Sequence, residues 1–358
     1  MRTREKLLLT FQSNCEWLLQ RRILSIGVDS FLVFCFCLLL LPASAIGQED
    51  SGLPRLESEI LRLATLSGGR VGVAAVHLET GREVYLHADE WFPMASTYKV
   101  PIAVQLLRRV DNNEVKLDQM VEVTPVDLHP GSGTLSQLLD DPGVELSLLN
   151  LLELMLLISD NSATDLSLEI AGGGQSVTAL MRDIGIEGIT VDRPTVELIA
   201  DWLGIEGLPS NGKITREKFS NLRSLVSQSE RERAETVFEQ DRRDSATPRG
   251  MAQLLSGIWQ KEIISSKHSE LLLDIMRRCQ TGNGRIKGLL PLDTKVFHKT
   301  GTIGRVTNDV GIVTLPENAG HVIIVVFVKQ SIFLVPERER AIAHISRAIH
   351  DYFLFNPK

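Results

Sequence analysis

Two groups of strand-like segments lie near opposite ends of this 358-residue chain, and the region between them is mainly helical. The first group predicts a hairpin and comprises residues 71–78 and 83–87. The second group comprises residues 295–301, 306–314 and 321–329. Residues 322–328 are continuously apolar, which is typical of a strand buried on both faces. Strands at both ends with helices between them predict an α+β fold, in which one antiparallel sheet joins the two groups and a helical lobe forms the middle.

The central region contains the strongest helical signals. Residues 146–158 are so rich in leucine that they predict a core helix. Other helices are predicted at residues 53–66, 162–171, 176–184, 248–261, 269–278 and 341–353. Residues 204–243 are highly charged, and we interpret them as a solvated helical insertion rather than a lid that contacts substrate, because charge runs usually face solvent.

The N-terminal 45 residues predict a secretory signal peptide, and hence export to the periplasm or beyond the cell. Basic residues precede an apolar run at 31–41, which a Pro-Ala-Ser-Ala sequence follows at 42–45. That run is shorter than the roughly 20 residues that a membrane-spanning helix needs. We expect the remainder, residues 46–358, to form one domain. The net charge of −7, without basic clusters, argues against a nucleic-acid partner.

Three short motifs occur in a fixed order and carry the chemistry: Ser96-Thr97-Tyr98-Lys99, then Ser159-Asp160-Asn161, then Lys299-Thr300-Gly301.

The first motif supplies a nucleophile and a base. Ser96 and Lys99 stand three residues apart at the start of a predicted helix over 96–110, so both side chains share one face. A serine hydroxyl is a weak nucleophile at neutral pH and needs a base. Lys99 can act as that base if its amine is neutral, which requires burial or a neighbouring cation such as Lys299.

The other two motifs supply groups for proton transfer and binding. Ser159 can bridge the two amines and pass a proton to a leaving nitrogen. Asn161 offers an amide to the acyl side chain of a substrate, whereas Asp160 is interpreted as a structural residue of the turn. Gly301 lies on a predicted strand, where the missing side chain lets a substrate approach the backbone. We interpret Cys279 and His298 as packing residues.

The ordered set resembles that of the penicillin-recognising serine hydrolases, and in particular the class A β-lactamases. The resemblance covers roughly residues 53–355. It implies a three-layer α/β/α fold with a five-stranded antiparallel sheet, an all-helical lobe and an active site in the seam between them. It also implies that the Thr300 hydroxyl holds a substrate carboxylate, with Arg305 as a further charge partner. The backbone N–H groups of Ser96 and Thr302 would then form the oxyanion hole.

One stretch departs from the family pattern. Class A β-lactamases carry Arg-x-Glu-x-x-Leu-Asn in the Ω-loop, and the Glu of that motif activates the water that releases the acyl-enzyme. Here Thr195 stands in place of the Glu and Ile199 in place of the Asn. Glu197 is two residues late, and it can serve as the base only if the loop is rearranged. We carry it as a candidate catalytic residue on that condition.

The working function is therefore the opening of β-lactam rings through an acyl-enzyme on Ser96. A penicillin-binding D,D-peptidase that acts on stem peptides of the cell wall, with slow release of β-lactams, remains an alternative. A non-catalytic sensor of β-lactams or muropeptides is a second alternative, and it ranks last because no signalling span is predicted after residue 45. The motifs imply no metal and no cofactor, and we expect a monomer.

Overall fold

The computed structural model describes residues 52–209 and 212–356, so the predicted signal peptide lies outside the described residues. The strands are β1 (Arg70–His77), β2 (Glu83–Leu86), β3 (Phe92–Pro93), β4 (Met120–Val123), β5 (Val144–Ser147), β6 (Ser245–Ala246), β7 (Val296–Ile303), β8 (Val306–Thr314) and β9 (His321–Lys329). The helices are α1 (Leu53–Ala64), α2 (Lys99–Asp111), α3 (Leu135–Leu138), α4 (Leu148–Leu157), α5 (Asn161–Ile170), α6 (Gly173–Asp183), α7 (Thr195–Leu203), α8 (Arg216–Leu225), α9 (Gln228–Phe238), α10 (Pro248–Gln260), α11 (Ser266–Arg277) and α12 (Val335–Phe355).

The main sheet has five antiparallel strands in the order β2-β1-β9-β8-β7. Its centre joins the two predicted strand groups, because β1 pairs with β9 from Arg70 opposite Lys329 to His77 opposite Val322. All seven residues between His321 and Lys329 are buried, as their continuous apolar sequence predicts. The α+β prediction is confirmed.

Helices cover both faces of this sheet and give it the expected three layers. Along β9, Ile324 and Val326 belong to a core cluster with residues of α1 and α12. Ile323, Val325 and Phe327 face the opposite way and join the larger core cluster with α10 and the helical lobe. This alternation follows from the two-residue repeat of a strand, and it explains why β9 is apolar on both sides.

The leucine-rich helix is shorter than the sequence predicts. It begins at Leu148 rather than at residue 146, because Val144–Ser147 pairs with β4 as a strand. The Ser147 side chain then caps the helix by accepting a hydrogen bond from the Asn150 N–H at 3.2 Å. Five of the ten helix residues are buried in the main core: Leu148, Leu151, Leu152, Met155 and Leu156.

The charged insertion forms two capped helices, α8 and α9, whose outer faces are exposed. It is not wholly solvated, however. Phe219 of α8 is 3% exposed and packs with Val196, Ala200 and Leu203 of α7 in a separate cluster. This apolar contact fixes α8 against α7. None of the helices in the described ranges is both long and apolar enough to cross a membrane.

Candidate active site

Ser96 lies in a 3₁₀ turn, Ala95–Tyr98, that leads directly into α2. The Thr97 N–H and hydroxyl both donate to Met94 O, at 3.2 and 2.8 Å, which fixes the turn. Ala95 has a φ of 46°, an uncommon conformation for a residue with a side chain. The turn places Ser96 at a cavity of about 340 Å³ between the sheet, the helical lobe and α7.

Lys99 is fully buried beside this turn, and its amine is held by oxygen atoms of the second motif. Nζ lies 2.8 Å from Ser159 O, 3.1 Å from Ser159 Oγ and 3.0 Å from Asn161 Oδ1. Burial, and secondly the charge of Lys299, lower the pKa of Lys99 well below its usual value. This shift favours the neutral amine, which is the form that can accept a proton. No hydrogen bond joins it to the Ser96 hydroxyl within the described ranges, and such catalytic contacts often tighten only when substrate binds.

Ser159 connects the two lysines. Its hydroxyl lies 3.1 Å from Lys99 Nζ and 3.1 Å from Lys299 Nζ. Its backbone has a φ of 62°, and such conformations persist where surrounding contacts enforce them. Asp160 supplies part of that enforcement, since its carboxylate accepts backbone N–H bonds from Thr134, Leu135 and Ala163. Its role is structural, as the sequence predicts.

The third motif lies on β7, next to the Ser96 turn. Lys299 is fully buried, and this burial lowers its pKa to about 8, against the opposing effect of Cys279. A Cβ on Gly301 would lie 2.6 Å from Met94 O and 2.9 Å from Ser96 N. Only glycine therefore lets β7 approach the backbone of the nucleophile this closely. Thr302 lines the same cavity as Ser96, and the oxyanion hole formed by their N–H groups stays a prediction.

Of the remaining predicted binding residues Asn161, Thr300 and Arg305, only Asn161 lines the cavity of Ser96. Asn161 lines the cavity, but its amide already donates to Pro130 O at 3.0 Å. The Thr300 hydroxyl forms a hydrogen bond with Thr281 Oγ1 at 2.6 Å. The structure does not place Arg305 among the cavity residues, because its guanidinium forms an ion pair with the buried carboxylate of Glu239.

Arg285, which the sequence analysis missed, is the arginine behind this strand. Its Nη1 donates to Gly301 O at 3.0 Å and Asn308 O at 2.8 Å, and its Nη2 donates to Thr302 Oγ1 at 2.6 Å. No motif surrounds Arg285, so only the tertiary contact identifies it. Its charge is paired with Glu339 at 2.9 Å, so Arg285 supports the backbone of β7 and the Thr302 hydroxyl from behind the strand.

The structure separates Glu197 from Ser96. Thr195 lines the Ser96 cavity, and its hydroxyl is 2.5 Å from Tyr98 Oη. Glu197 lines a different cavity with Asp165, where burial and then the charges of Asp201 and Asp165 raise its pKa. Among the described residues that line the Ser96 cavity, none is acidic. The placement gives no support to Glu197 as the water-activating base.

A cysteine and a histidine form a second missed group, behind β7. His298 Nδ1 lies 2.9 Å from Asp309 Oδ1, and the pKa of His298 is about 9, because Asp309 raises it against the effect of burial. The imidazole in turn lowers the pKa of the Cys279 thiol to about 6, against burial. Cys279 Sγ is also 3.3 Å from Thr281 Oγ1, which contacts Thr300. These residues are buried, as expected, but His298 forms an ion pair with Asp309 rather than simple packing.

Known proteins share both the fold and the order of the elements. A family model described as the β-lactamase enzyme family matches residues 55–353. β-Lactamase VEB-1 of Pseudomonas aeruginosa is 28% identical over 84% of this chain and 90% of its own length. The crystal structure of a β-lactamase from Chitinophaga pinensis has a TM-score of 0.69 and 28% identity, covering 83% of this chain and 99% of the other.

A third similarity is to a penicillin-binding protein. A point mutant of PBP-A, solved as an acyl-enzyme complex with penicillin G, has a TM-score of 0.66 and 26% identity. It covers 84% of this chain and 97% of its own. The family model spans most of the domain that carries the three motifs. The chain belongs to the β-lactamase enzyme family, as a hydrolase of the class A type.

Proposed function

We propose that this enzyme opens β-lactam rings through an acyl-enzyme on Ser96. The observation that carries the proposal is the contact of the Ser159 hydroxyl with both Lys99 and Lys299, beside the cavity of Ser96. The acyl-enzyme of PBP-A with penicillin G gives a relative of the same fold as a precedent.

In the proposed acylation, neutral Lys99 removes the proton of Ser96 Oγ as that oxygen attacks the lactam carbonyl carbon. The N–H groups of Ser96 and Thr302 stabilise the oxyanion. When the C–N bond breaks, Ser159 donates its proton to the leaving nitrogen and is reprotonated from the lysines that contact it. The product is an ester on Ser96 with an opened ring.

Deacylation is the slow step in this proposal. Water must attack the ester, and a positioned general base typically accelerates such a step by about 10²- to 10⁴-fold. Thr195 and Ile199 line the cavity at the two positions where the family carries its water-activating Glu and Asn. The remaining bases are the groups that serve acylation, Lys99 and Ser159. We therefore expect measurable but slow β-lactam turnover.

A D,D-peptidase is the second candidate, and the absence of acidic side chains from the described cavity lining favours it. A peptide acyl-enzyme can be resolved with Lys99 or Ser159 as base, so a stem peptide ending in D-alanine is the alternative substrate. We also propose export after cleavage behind Ala45, which N-terminal sequencing of the protein recovered outside the cytoplasm would test.

The test of function combines turnover with mass spectrometry. Purified protein is incubated with a chromogenic cephalosporin and, separately, with an acyl-D-alanyl-D-alanine peptide, and Ser96→Ala serves as the control. Added mass on Ser96 with slow continued colour change supports β-lactam hydrolysis. Release of D-alanine at a higher kcat/KM supports the peptidase, and a permanent adduct with neither product supports the sensor. No adduct on Ser96 with any probe refutes the acyl-enzyme.

A further inference from the structure

The charged insertion forms one wall of the cavity that contains Ser96. Phe219 and Arg223 of α8 both line this cavity. They are four residues apart on one helix, so they share a face. Phe219 is also part of the apolar cluster that joins α8 to α7, which holds this face in place. Both residues therefore lie where an acyl group attached to Ser96 could reach them.

Most of the lining near this wall is apolar. α7 contributes Leu198, Ile199 and Trp202, and β7 contributes Ile303. Trp202 lies against Gly304, the residue that follows β7, since a Cβ on Gly304 would lie 2.6 Å from Trp202 Nε1. An acyl group attached to Ser96 that extends toward α8 would thus bury an aromatic or branched apolar body. Such burial contributes free energy in proportion to the apolar area covered.

Arg223 is the one charged residue among the described residues that line this cavity. Its side chain is exposed, and within residues 52–209 and 212–356 its guanidinium forms no ion pair. Two other arginines of the insertion have carboxylate partners, since Arg216 pairs with Asp140 and Arg243 with Asp241. A guanidinium without a counter-ion at the mouth of a cavity without acidic residues favours an anion on the ligand.

We propose that the insertion makes this enzyme selective for acyl donors whose side chain carries both an aromatic or bulky apolar body and a carboxylate. The apolar body lies against Trp202 and Phe219, and the carboxylate contacts Arg223. This inference rests on the proposed function, because it assumes that the acyl group is attached to Ser96. It assigns a substrate class that applies equally to a β-lactam and to an acidic peptide.

The test uses two penicillins that differ by one carboxylate: benzylpenicillin, with a phenylacetyl side chain, and carbenicillin, with an α-carboxyphenylacetyl side chain. The second-order rate constant of acylation is measured for both penicillins from the mass added to Ser96. The variants are Arg223→Ala and Arg223→Glu. Lys218→Ala is the matched control, because Lys218 is an exposed cation on the same helix that does not line the cavity.

We expect wild-type enzyme to prefer carbenicillin. Arg223→Ala should reduce that preference roughly two- to fivefold, the size expected for one exposed charge pair, and Arg223→Glu should reduce it further. The preference should also fall at high salt, because ions screen exposed charges. Lys218→Ala should acylate with both penicillins at the wild-type rates.

The outcomes separate the two proposals. If benzylpenicillin acylates Ser96 but the carbenicillin preference is absent or survives in Arg223→Glu, the specificity inference is wrong and the function stands. If Lys218→Ala reduces the preference as much as Arg223→Ala does, the effect comes from net charge and the assignment to Arg223 is wrong. If neither penicillin acylates Ser96, the proposed function itself fails.

Discussion

Replacing Thr195 by glutamate should convert slow deacylation into faster turnover. Thr195 is the residue of the Ser96 cavity that stands where the family carries its general base, and it is 5% exposed. Its hydroxyl already meets Tyr98 Oη at 2.5 Å, so a carboxylate there can keep a hydrogen bond from the tyrosine. A base at this position would activate water beside the ester on Ser96.

The expected increase in the deacylation rate is at the lower end of the acceleration that a general base supplies. Asp165 lies close, because its carboxylate accepts the Thr195 N–H at 2.6 Å and the Val196 N–H at 3.0 Å. Its negative charge would raise the pKa of a new carboxyl group and leave less of it ionised. Of the range of ~10² to 10⁴ for general bases, we therefore expect ~10², or ~2.7 kcal/mol of activation free energy.

The assay follows loss of the acyl group from Ser96 by intact-protein mass spectrometry after excess β-lactam is removed. Thr195→Gln is the control, because glutamine has nearly the shape of glutamate but cannot act as a general base. A Thr195→Glu enzyme that acylates normally yet deacylates at the wild-type rate would refute this reasoning. Equal acceleration by Thr195→Gln would refute it too, since the gain would then come from shape.

Three further changes test the acylation groups and the buried pair. Lys99→Ala should lower the acylation rate by roughly 10² or more while circular dichroism shows a folded protein. The kcat/KM for a chromogenic cephalosporin should fall in acid as Lys99 is protonated. It should fall again above about pH 8 as Lys299 loses its charge. A flat profile through pH 8 would contradict the need for a charged Lys299. Ultraviolet absorbance of a thiolate should appear as pH rises through about 6, and Cys279→Ser should abolish it. The folded-state pKa of Cys279 is depressed from 9.0, so the stability that this thiolate contributes is lost as pH falls through about 6. The advantage of wild type over Cys279→Ser in urea unfolding should therefore grow as pH rises from about 6 toward 9.

The strands of the second group were the most predictable elements. Their bounds at 306–314 and 321–329 agree with the structure, because β-branched apolar runs between turn residues leave few alternatives. The start of the leucine-rich helix was not predictable to the residue. Residues 144–147 become a strand only because β4 pairs with them, and such pairing cannot be read from the local sequence.

The site shows the same division. Spacing within a turn or strand is local information, so the three motifs indicated the groups around Lys99 and Ser159. Arg285, by contrast, contacts Gly301 from a separate segment, and nothing in its own sequence neighbourhood indicates this. Phe219 was misjudged for a related reason, since a charged segment signals solvent unless its few apolar residues find a partner surface.

Helix α7 links the two unusual parts of this enzyme. Its first residue is Thr195, at the position of the missing base, and its later residues form the surface on which Phe219 of the insertion packs. The Asp165 carboxylate fixes the start of this helix through two backbone N–H groups, where a negative charge also favours the helix dipole. Because a helix moves largely as a rigid body, any shift of the insertion on α7 would also displace residue 195 relative to Ser96. We therefore expect that changes in the insertion that displace α7 will alter the rate at which the acyl group is released.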